Sequence, residues 1–293
     1  EYPLNPAVRL TDLSGSTDSR IRRIPYWLRE IRALVKREKP DVILSFVARI
    51  NILVLLAVSG LKQKIIISER NDPNRDKRST AVRIGTKLLY PKADRIVFQT
   101  KYAMNCFKGR IARKGIVIPN PIQTAVSASA AKQKKIVTAG RLMPQKNHEM
   151  LILSFVEVHI SFPDYRLIIY GEGNLRNQLE TQIQELGLEK FISLPGNVPN
   201  IHECIADAEL FVLSSDYEGF SNAMLEAMMM GLAVVSTDCA GSNEFIEDGQ
   251  NGFLVPVGDA RAMSRAIQKI LSDGELRKKI AEQGAKDSVR FRA

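Results

Sequence analysis

The chain has 293 residues and a net charge of +10, and its 45% hydrophobic and 25% charged residues leave room for two globular domains. Its longest apolar run, Ile52–Val58, is far shorter than the roughly 20 residues that cross a bilayer. Its three scattered cysteines argue against a disulfide scaffold and a zinc site and predict a protein of the reducing cytosol.

The first part of the chain alternates short apolar runs with one long helical pattern. The apolar runs predict strands over Val8–Leu13, Val42–Ser45, Lys64–Ser68, Arg95–Gln99 and Gly115–Ile118. Because continuous apolar runs are typical of strands buried on both faces, they indicate a parallel sheet covered by helices.

The long helical pattern covers Ile21–Lys39, and Pro25 suits the first turn of such a helix. One face is apolar and the opposite face is basic. The basic residues are Arg22, Arg29 and Lys36, with Arg32 beside them. One interpretation is a helix packed on the sheet with a solvated outer face. The other is a face that contacts anionic lipid or a pyrophosphate-bearing acceptor.

A second series of apolar runs follows. It predicts strands over Lys135–Ala139, Tyr165–Tyr170, Phe191–Leu194, Leu210–Leu213 and Ala233–Ser236. Two such series predict two doubly wound α/β domains. The prolines of Ile118–Ile122, followed by small and polar residues, place the boundary between residues 1–122 and 123–293.

Charge divides the chain at the same place. Residues 1–122 carry 25 Lys/Arg and 10 Asp/Glu, a net charge of +15, whereas residues 123–293 carry 17 and 22, a net charge of −5. The first domain is therefore expected to meet an anionic partner, such as nucleic acid, anionic lipid or a phosphorylated substrate. Nucleic acid is not favoured, because no motif that reads RNA or DNA accompanies the charge.

Two cations follow the first strand of the second series. Arg141 comes directly after Gly140, at the carboxyl edge of the predicted sheet where open α/β folds bind ligands, and Lys146 precedes the next helix. A guanidinium and an ammonium at such a junction can clamp a diphosphate. Two solvated loop cations are the alternative interpretation.

Two later loops carry turn residues. Gly171 and Gly173 follow a strand and precede a helix, but Arg176 replaces the third glycine of a dinucleotide fingerprint. These glycines therefore indicate only a tight turn close to a nucleotide. Residues 195–200, PGNVPN, form a turn that either reads a nucleobase edge with its main chain or simply connects two elements.

Two glutamates lie close to the strand that ends in the sequence LFVLSS. Glu218 falls in the loop, Ser221 or Asn222 can cap the next helix, and Glu226 falls in about its first turn. The N–H groups of residues 219–222 favour an anion, whereas the carboxylates favour hydroxyls. A ligand with a diphosphate and many hydroxyls, a nucleotide sugar, would use both; charge compensation at the helix N-terminus is the alternative.

Four stretches of the second half together resemble the retaining glycosyltransferases of family 4, which have the GT-B fold. They are GRLMPQKNHEMLILSF, YGEGNLRNQLE, PGNVPNI and the segment from SSDYEGF to PVGD, in the family's order across roughly residues 136–260. The resemblance implies an α/β protein with two Rossmann-like, doubly wound domains that face each other across a cleft. Residues 1–122 would bind the acceptor and residues 123–293 the donor.

The resemblance also implies roles for single residues. Arg141 and Lys146 would bind the donor diphosphate and stabilise the leaving group, and Glu218 would hold sugar hydroxyls near the reacting carbon. The other donor-binding residues would be Gly140, Gly171, Val198, Gly219, Phe220, Ser221, Asn222 and Glu226. Of these, Glu226 would accept from the ribose hydroxyls, and the main chain of Val198 would meet the base. The donor would be UDP-linked, and transfer would retain the anomeric configuration.

The first half resembles, less specifically, the acceptor domain of bacterial members that build polysaccharide or lipid-linked oligosaccharide. The matching stretches are KPDVILSFVARINILVLLA and KIIISERNDP. Arg49 or Ser45 stands where many members place a histidine, and Glu69, Arg70 and Asn71 either line the cleft or are structural. The family's first glycine-rich loop is absent and its last helix is cut short, so we expect a chain shortened at both ends.

No bound cofactor and no metal are expected. No Asp-x-Asp motif occurs, and Arg141 and Lys146 would do the work of a divalent ion. The expected partners are a nucleotide sugar, a glycan or lipid-linked acceptor and an anionic membrane surface, with the enzyme cytoplasmic or peripheral on the inner face of the cell membrane.

Two other interpretations compete with a glycosyltransferase of cell-surface glycan biosynthesis. The first is a non-catalytic nucleotide-sugar-binding module or an inactive fragment. The second, a Rossmann oxidoreductase, needs a complete glycine fingerprint and a ribose-binding acid after the first strand, and the sequence has neither.

Overall fold

A computed structural model describes residues 5–13, 20–76, 78–122, 127–129 and 131–292, with the backbone alone for residues 20–22. Contacts within the chain divide it into two compact units. Unit 1 comprises residues 1–70, 77–98 and 107–116, and unit 2 comprises residues 71–76, 99–106 and 117–293. The assignment of residues 1–122 to acceptor binding and 123–293 to donor binding stays a prediction.

The first half of the chain forms a four-stranded sheet in the order β1-β2-β3-β4, in which β2 pairs in parallel with β1 and β3. The strands are β1 Val42–Phe46, β2 Lys64–Glu69, β3 Arg95–Phe98 and β4 Gly115–Val117. The helices are α1 Arg20–Glu38, α2 Ala48–Ala57, α3 Thr80–Leu89, α4 Lys101–Asn105 and α5 Arg110–Arg113, with a 3-10 turn at Tyr90–Lys92.

Four of the five strands predicted in this half form, each with its last residue shifted by one position. The prediction of a strand over Val8–Leu13 is wrong, because these residues have no regular structure, and Leu10 is 77% exposed. A strand exists only with a neighbour that takes its hydrogen bonds, and no described strand pairs with this run.

Helix α1 confirms the predicted helix but corrects two details of it. It begins at Arg20, so Pro25 lies inside the helix, where a missing N–H removes one helical hydrogen bond, rather than in the first turn. The guanidinium of Arg32 does not join the basic face. Its Nη1 donates to the carbonyl oxygens of Ala57 at 2.7 Å and Ser59 at 2.9 Å, where α2 ends and carbonyls lack helical partners.

Unit 2 contains a six-stranded sheet in the order β10-β9-β8-β5-β6-β7, with parallel pairing throughout. The strands are β5 Gln133–Ala139, β6 Arg166–Tyr170, β7 Ile192–Gly196, β8 Ala208–Leu213, β9 Ala233–Thr237 and β10 Phe253–Val255. The helices are α6 His148–Ser161, α7 Arg176–Glu185, α8 Ile201–Ile205, α9 Asn222–Met230, α10 Ala260–Ser272 and α11 Gly274–Ser288, with 3-10 turns at Pro144–Lys146 and Val289–Phe291.

Both faces of this sheet are covered. Successive residues of a strand point to opposite faces, and Ile136 belongs to one buried apolar cluster whereas Val137 belongs to another. Helices α6, α7, α10 and α11 contribute to the first cluster and α9 to the second. The predicted α/β class is confirmed, and Met228 and Met230 are buried in the second cluster.

All five strands predicted in this half form, whereas β10 was missed because three apolar residues give too weak a signal. None of the helices in the described ranges is both long enough and apolar enough to cross a membrane.

Candidate functional site

The strand order of unit 2 reverses between β5 and β8, which pair with each other. Ligands of open parallel sheets bind outside the carboxyl ends of the strands at such a point. Gly140 and Arg141 follow β5, and residues 214–218 follow β8. The fold therefore brings two distant segments that carry predicted site residues to one edge of the sheet.

Hydrogen bonds join the loops that follow β5 and β8. Asn147 Nδ2 donates to Asp216 Oδ1 at 2.7 Å, and the amide of Asp216 donates to the carbonyl of Gln145 at 2.9 Å. The Ser214 hydroxyl donates to the carbonyl of Lys146 at 2.8 Å. These contacts fix the position of Lys146 relative to the loop that contains Glu218.

Lys146 and Glu218 form a largely buried ion pair. The ammonium Nζ lies 2.5 Å from Glu218 Oε1, and the side chains are 16% and 7% exposed. The Ser215 hydroxyl donates to the same carboxylate oxygen at 2.6 Å. A buried carboxylate is costly unless it is paired, and here a cation and a hydroxyl satisfy it. The sequence analysis gave no role to Ser215, because nothing in the sequence showed that it reaches Glu218.

Arg141 is exposed, and no hydrogen bond or ion pair engages its guanidinium among the described residues. Beside it, a Cβ on Gly140 would lie 3.2 Å from Lys146 Cε. Glycine therefore leaves room for the lysine stem next to the end of β5. The site thus combines one unpaired cation, Arg141, with one cation that is already paired.

Steric crowding explains why glycine occupies two positions in the loop after β6. Gly171 has φ +133°, and a Cβ there would lie 2.0 Å from the carbonyl oxygen of Gly140. A Cβ on Gly173 would lie 2.1 Å from the carbonyl oxygen of Leu142. The two glycines let this loop pack backbone to backbone against the loop that carries Arg141.

Gly241, in the loop after β9, is a site residue that the sequence analysis missed. A Cβ on Gly241 would lie 2.4 Å from the Cβ of Glu218. Real Cβ atoms do not approach this closely, so only glycine lets the two loops meet here. The sequence gives no signal of it, because the contact joins segments that are distant along the chain.

Helix α9 begins at Asn222, but the expected side-chain cap is absent. The hydroxyl of Ser221 is buried and has no hydrogen-bond partner in the part of the chain that the structure describes. The side chain of Asn222 instead accepts from Asn120 Nδ2 at 2.9 Å. Phe220 packs edge-on against Phe245, with ring centroids 5.0 Å apart, and so anchors the turn.

Glu226 lies in α9 and contacts α8. Its Oε2 is 3.2 Å from Nε2 of His202, and each of the two side chains is 25% exposed. Val198 is half-buried in the connection between β7 and α8 and packs on the second apolar cluster. The sequence analysis predicted that Glu226 and Val198 bind the donor, but it gave no role to His202.

His148 begins α6, two residues after Lys146, and is only 2% exposed. Burial, reinforced by the nearby positive charge of Lys146, lowers the pKa of His148 to about 4. The imidazole is therefore uncharged at neutral pH.

Of the residues predicted for the acceptor side, Glu69 lies in a buried network. It is 1% exposed and accepts from Arg78 Nη1 at 2.8 Å and from the Tyr90 hydroxyl at 3.1 Å. Burial, followed by the charge of Glu69, raises the pKa of the Tyr90 hydroxyl. These contacts correspond to the structural interpretation of Glu69.

The other predicted acceptor-side residues do not share this network. Arg70 is exposed, with its guanidinium carbon 5.7 Å from the centre of the Phe46 ring. Arg49 is exposed on α2. Asn71 is half-buried and belongs to unit 2.

The predicted basic face of α1 is described only in part. Arg29 is 77% exposed and pairs with Glu30 at 3.2 Å, and Lys36 is exposed. The side chain of Arg22 lies outside the described residues. In the described ranges, no group of three His, Cys, Asp or Glu side chains is arranged to hold a metal ion.

Comparisons with known proteins match the chain to one enzyme family. The family of glycosyl transferases described as group 1 matches residues 120–287, more than half of the chain. A similar curated protein is N-acetylgalactosamine-N,N'-diacetylbacillosaminyl-diphospho-undecaprenol 4-alpha-N-acetylgalactosaminyltransferase of Campylobacter jejuni. It is 31% identical over 272 residues, which cover 87% of this chain and 74% of the relative.

Two further proteins share parts of the sequence or the fold. The lipopolysaccharide core biosynthesis glycosyltransferase LpsE of Rhizobium meliloti is 33% identical over 149 residues, 51% of this chain and 43% of LpsE. A crystal structure of Anabaena HepE in complex with UDP and glucose superimposes with a TM-score of 0.83 and 20% identity, covering 95% of this chain and 80% of HepE. The α/β fold thus matches structures of the GT-B type.

Proposed function

The chain belongs to the glycosyl transferases of group 1, and we propose that it is a retaining member of family 4. Its donor is a UDP-linked sugar, and its acceptor is a glycan or a lipid-linked oligosaccharide of a bacterial cell surface. Sugar transfer itself follows from family membership; the donor, the stereochemistry and the acceptor are the proposed part.

One observation carries the proposal: Lys146 and Glu218 meet at the strand-order reversal of unit 2, where Arg141 also follows β5. A diphosphate needs cations, and a sugar needs acceptors for its hydroxyls. Only a ligand with both parts uses all three side chains. We therefore assign the diphosphate to Arg141 and Lys146 and the sugar hydroxyls to Glu218.

The chemistry follows from this placement. As the bond between the anomeric carbon and the diphosphate breaks, negative charge develops on the leaving oxygen, where preorganised cations stabilise it most. The acceptor hydroxyl attacks from the same face, and its proton passes to the departing diphosphate. The anomeric configuration is thereby retained.

The remaining donor contacts come from α9, from the turn before it and from the connection between β7 and α8. Glu226 accepts from the ribose hydroxyls, and the main chain of Val198 meets the base. The backbone N–H groups of Gly219, Phe220 and Ser221 contact sugar and phosphate. The unused hydroxyl of Ser221 beside them supports this assignment, because a buried polar atom without a partner in the described chain is available to a ligand.

Two relatives support the choice of donor and acceptor. HepE was crystallised with UDP and glucose, which favours a UDP-linked donor for a chain of the same fold. The Campylobacter relative is named for an acceptor joined through a diphosphate to undecaprenol. A lipid-linked acceptor at the cytoplasmic membrane face is therefore proposed here as well.

The test is a transfer assay. The protein is incubated with UDP-, GDP- and ADP-linked sugars and a short-chain polyprenyl diphosphate saccharide, and products are followed by mass spectrometry and NMR. We expect transfer from a UDP-sugar with an α-linked product from an α-linked donor. A product of inverted configuration would overturn retention. UDP binding without transfer in any combination would favour the nucleotide-sugar-binding module.

A further inference from the structure

Arg176 begins α7, and its guanidinium is engaged on several sides. Nε donates to Glu172 Oε2 at 2.9 Å, Nη2 donates to Glu172 Oε1, and Nη1 donates to Glu180 Oε1 at 2.8 Å. The arginine side chain is 26% exposed. The sequence analysis noted Arg176 only as the residue that replaces a third glycine. These contacts hold its guanidinium in one orientation beside the loop after β6.

The position of Arg176 at the start of a helix needs a further explanation. The N-terminus of a helix carries a partial positive charge, so a cation in the first turn is unfavourable. Glu172 and Glu180 are each about half exposed, and exposed ion pairs contribute little to stability. Stabilisation of α7 therefore does not account for an arginine here.

The same guanidinium reaches the end of β7. Its Nη1 donates to the carbonyl oxygen of Leu194 at 3.2 Å. Between Ser193 and Gly196 the register of β7 against β6 shifts, and β7 has one residue more than β6. Such a bulge interrupts the ladder of hydrogen bonds, and Pro195 has no N–H to donate to it. Arg176 therefore holds the backbone where the sheet holds it least.

Gly196 brings the end of β7 against the same carboxylate. Its φ is +85°, and a Cβ there would lie 2.7 Å from Glu172 Oε1, the oxygen that pairs with Arg176. Gly196 comes two residues before Val198, whose main chain is proposed to meet the base. Arg176 and Glu172 together therefore fix the point from which the connection between β7 and α8 starts.

We propose that Arg176 is a positioning residue for the nucleobase and determines which base the donor carries. The inference rests on the proposed function, which places the base against the main chain of Val198, and deepens it. Hydrogen bonds weaken steeply with misalignment, so main-chain groups select a base only if they stay in place. Uracil presents a ring N–H between two carbonyl oxygens, whereas adenine presents an amino group beside a ring nitrogen that accepts. A main chain held for uracil therefore leaves polar groups unpaired against adenine.

The test measures the binding of UDP, ADP and inorganic pyrophosphate by isothermal titration calorimetry. In Arg176→Ala, the dissociation constant for UDP should rise about tenfold, because the main chain that binds the base is no longer held. The constants for ADP and pyrophosphate should change little, since adenine does not fit that main chain and pyrophosphate has no base. In the transfer reaction, the KM for a UDP-sugar should rise by the same factor while kcat changes little.

Two variants of the same helix are matched controls. Glu180→Ala removes one ion-pair partner of Arg176 and leaves the other contacts of the guanidinium in place. Gln182→Ala removes the hydrogen bond from Gln182 Nε2 to the carbonyl of Glu149 at 3.1 Å, which attaches α7 to α6 rather than to β7. Both variants should keep the preference for UDP over ADP. Circular dichroism and thermal unfolding check that every variant is folded.

The inference alone is overturned if Arg176→Ala binds UDP as the unchanged protein does. It is also overturned if UDP, ADP and pyrophosphate lose affinity alike, or if Glu180→Ala loses the preference as fully as Arg176→Ala. In these cases the unchanged protein still prefers UDP, and the proposed donor stands. An unchanged protein without a preference for UDP over ADP would overturn both the inference and the proposed UDP-linked donor.

Discussion

The ammonium of Lys146 lies 2.5 Å from a carboxylate oxygen of Glu218, although 72 residues separate them along the chain. In the proposed reaction, Lys146 binds the diphosphate and Glu218 binds the sugar. The diphosphate and the sugar are joined to each other by the bond that breaks. The side chains that bind them must therefore lie close together, as Lys146 and Glu218 do.

Removing Lys146 should affect turnover and stability separately. Lys146→Ala should lower kcat by about 10²-fold or more, because a preorganised charge on the leaving group is lost. It should also lower the free energy of unfolding by about 3 kcal/mol, because Glu218 is left as a buried, uncompensated charge. Steady-state kinetics and urea denaturation measure the two effects.

A matched control for that variant is Lys134→Ala. Lys134 pairs with Asp164 at 2.6 Å, but both side chains are more than half exposed, so neither quantity should change appreciably. Near-normal turnover in Lys146→Ala would remove this lysine from the mechanism.

Gly241→Ala should damage the site through sterics alone. The added methyl group would lie 2.4 Å from the Cβ of Glu218, so one of the two loops must move. We expect a large loss of activity and a lower melting temperature. Gly274→Ala is the control, because a Cβ there meets no atom within 4 Å and should be tolerated. If the two variants have equal activity and equal melting temperatures, the loop that carries Glu218 can move to make room for the methyl group without loss of activity or stability.

His202 should act on donor affinity through Glu226. His202→Ala removes the partner at 3.2 Å from the carboxylate, so the KM for the donor should rise several-fold while kcat changes little. His202→Gln places an N–H near the position of Nε2 and should restore much of the affinity. If kcat falls and KM is unchanged, Glu226 is not the group that holds the ribose.

His148 should make stability depend on pH. The pKa of His148 is about 4 in the folded protein, whereas in the unfolded chain it has the ordinary histidine value of 6.5. Below pH 6.5 the unfolded chain therefore binds a proton that the folded protein does not. This contribution is fully present above pH 6.5 and is lost as the pH falls to about 4, amounting to about 3 kcal/mol. Urea denaturation across that range should show it, and His148→Leu should remove that part of the slope.

Chelation should leave the rate of transfer unchanged. Arg141 and Lys146 are proposed to neutralise the diphosphate, so EDTA should have no effect and added Mg²⁺ should not accelerate the reaction. Arg141→Ala, in contrast, should lower kcat. A rate that falls with EDTA and returns with Mg²⁺ would show that the two cations do not suffice.

Continuous apolar runs were enough to predict most of the strands. Nine of the ten predicted strands form, because a buried parallel strand needs a continuous apolar run that is visible in the sequence. The prediction for Val8–Leu13 is wrong because an apolar run becomes a strand only if a neighbouring strand pairs with it. Strand β10 was missed because it has only three residues, and such a short run forms a strand only through its pairing with β9.

The amino-acid sequence was enough to predict the α/β class and a glycosyltransferase, together with side chains suited to a diphosphate and to sugar hydroxyls. Which of these side chains contact each other depends on the tertiary structure. The Lys146–Glu218 pair, the Ser215 hydroxyl beside it, the buried network of Glu69 and the need for glycine at 241 all join segments that are distant along the chain. Such contacts depend on strand order and loop packing, and no local pattern of residues encodes either.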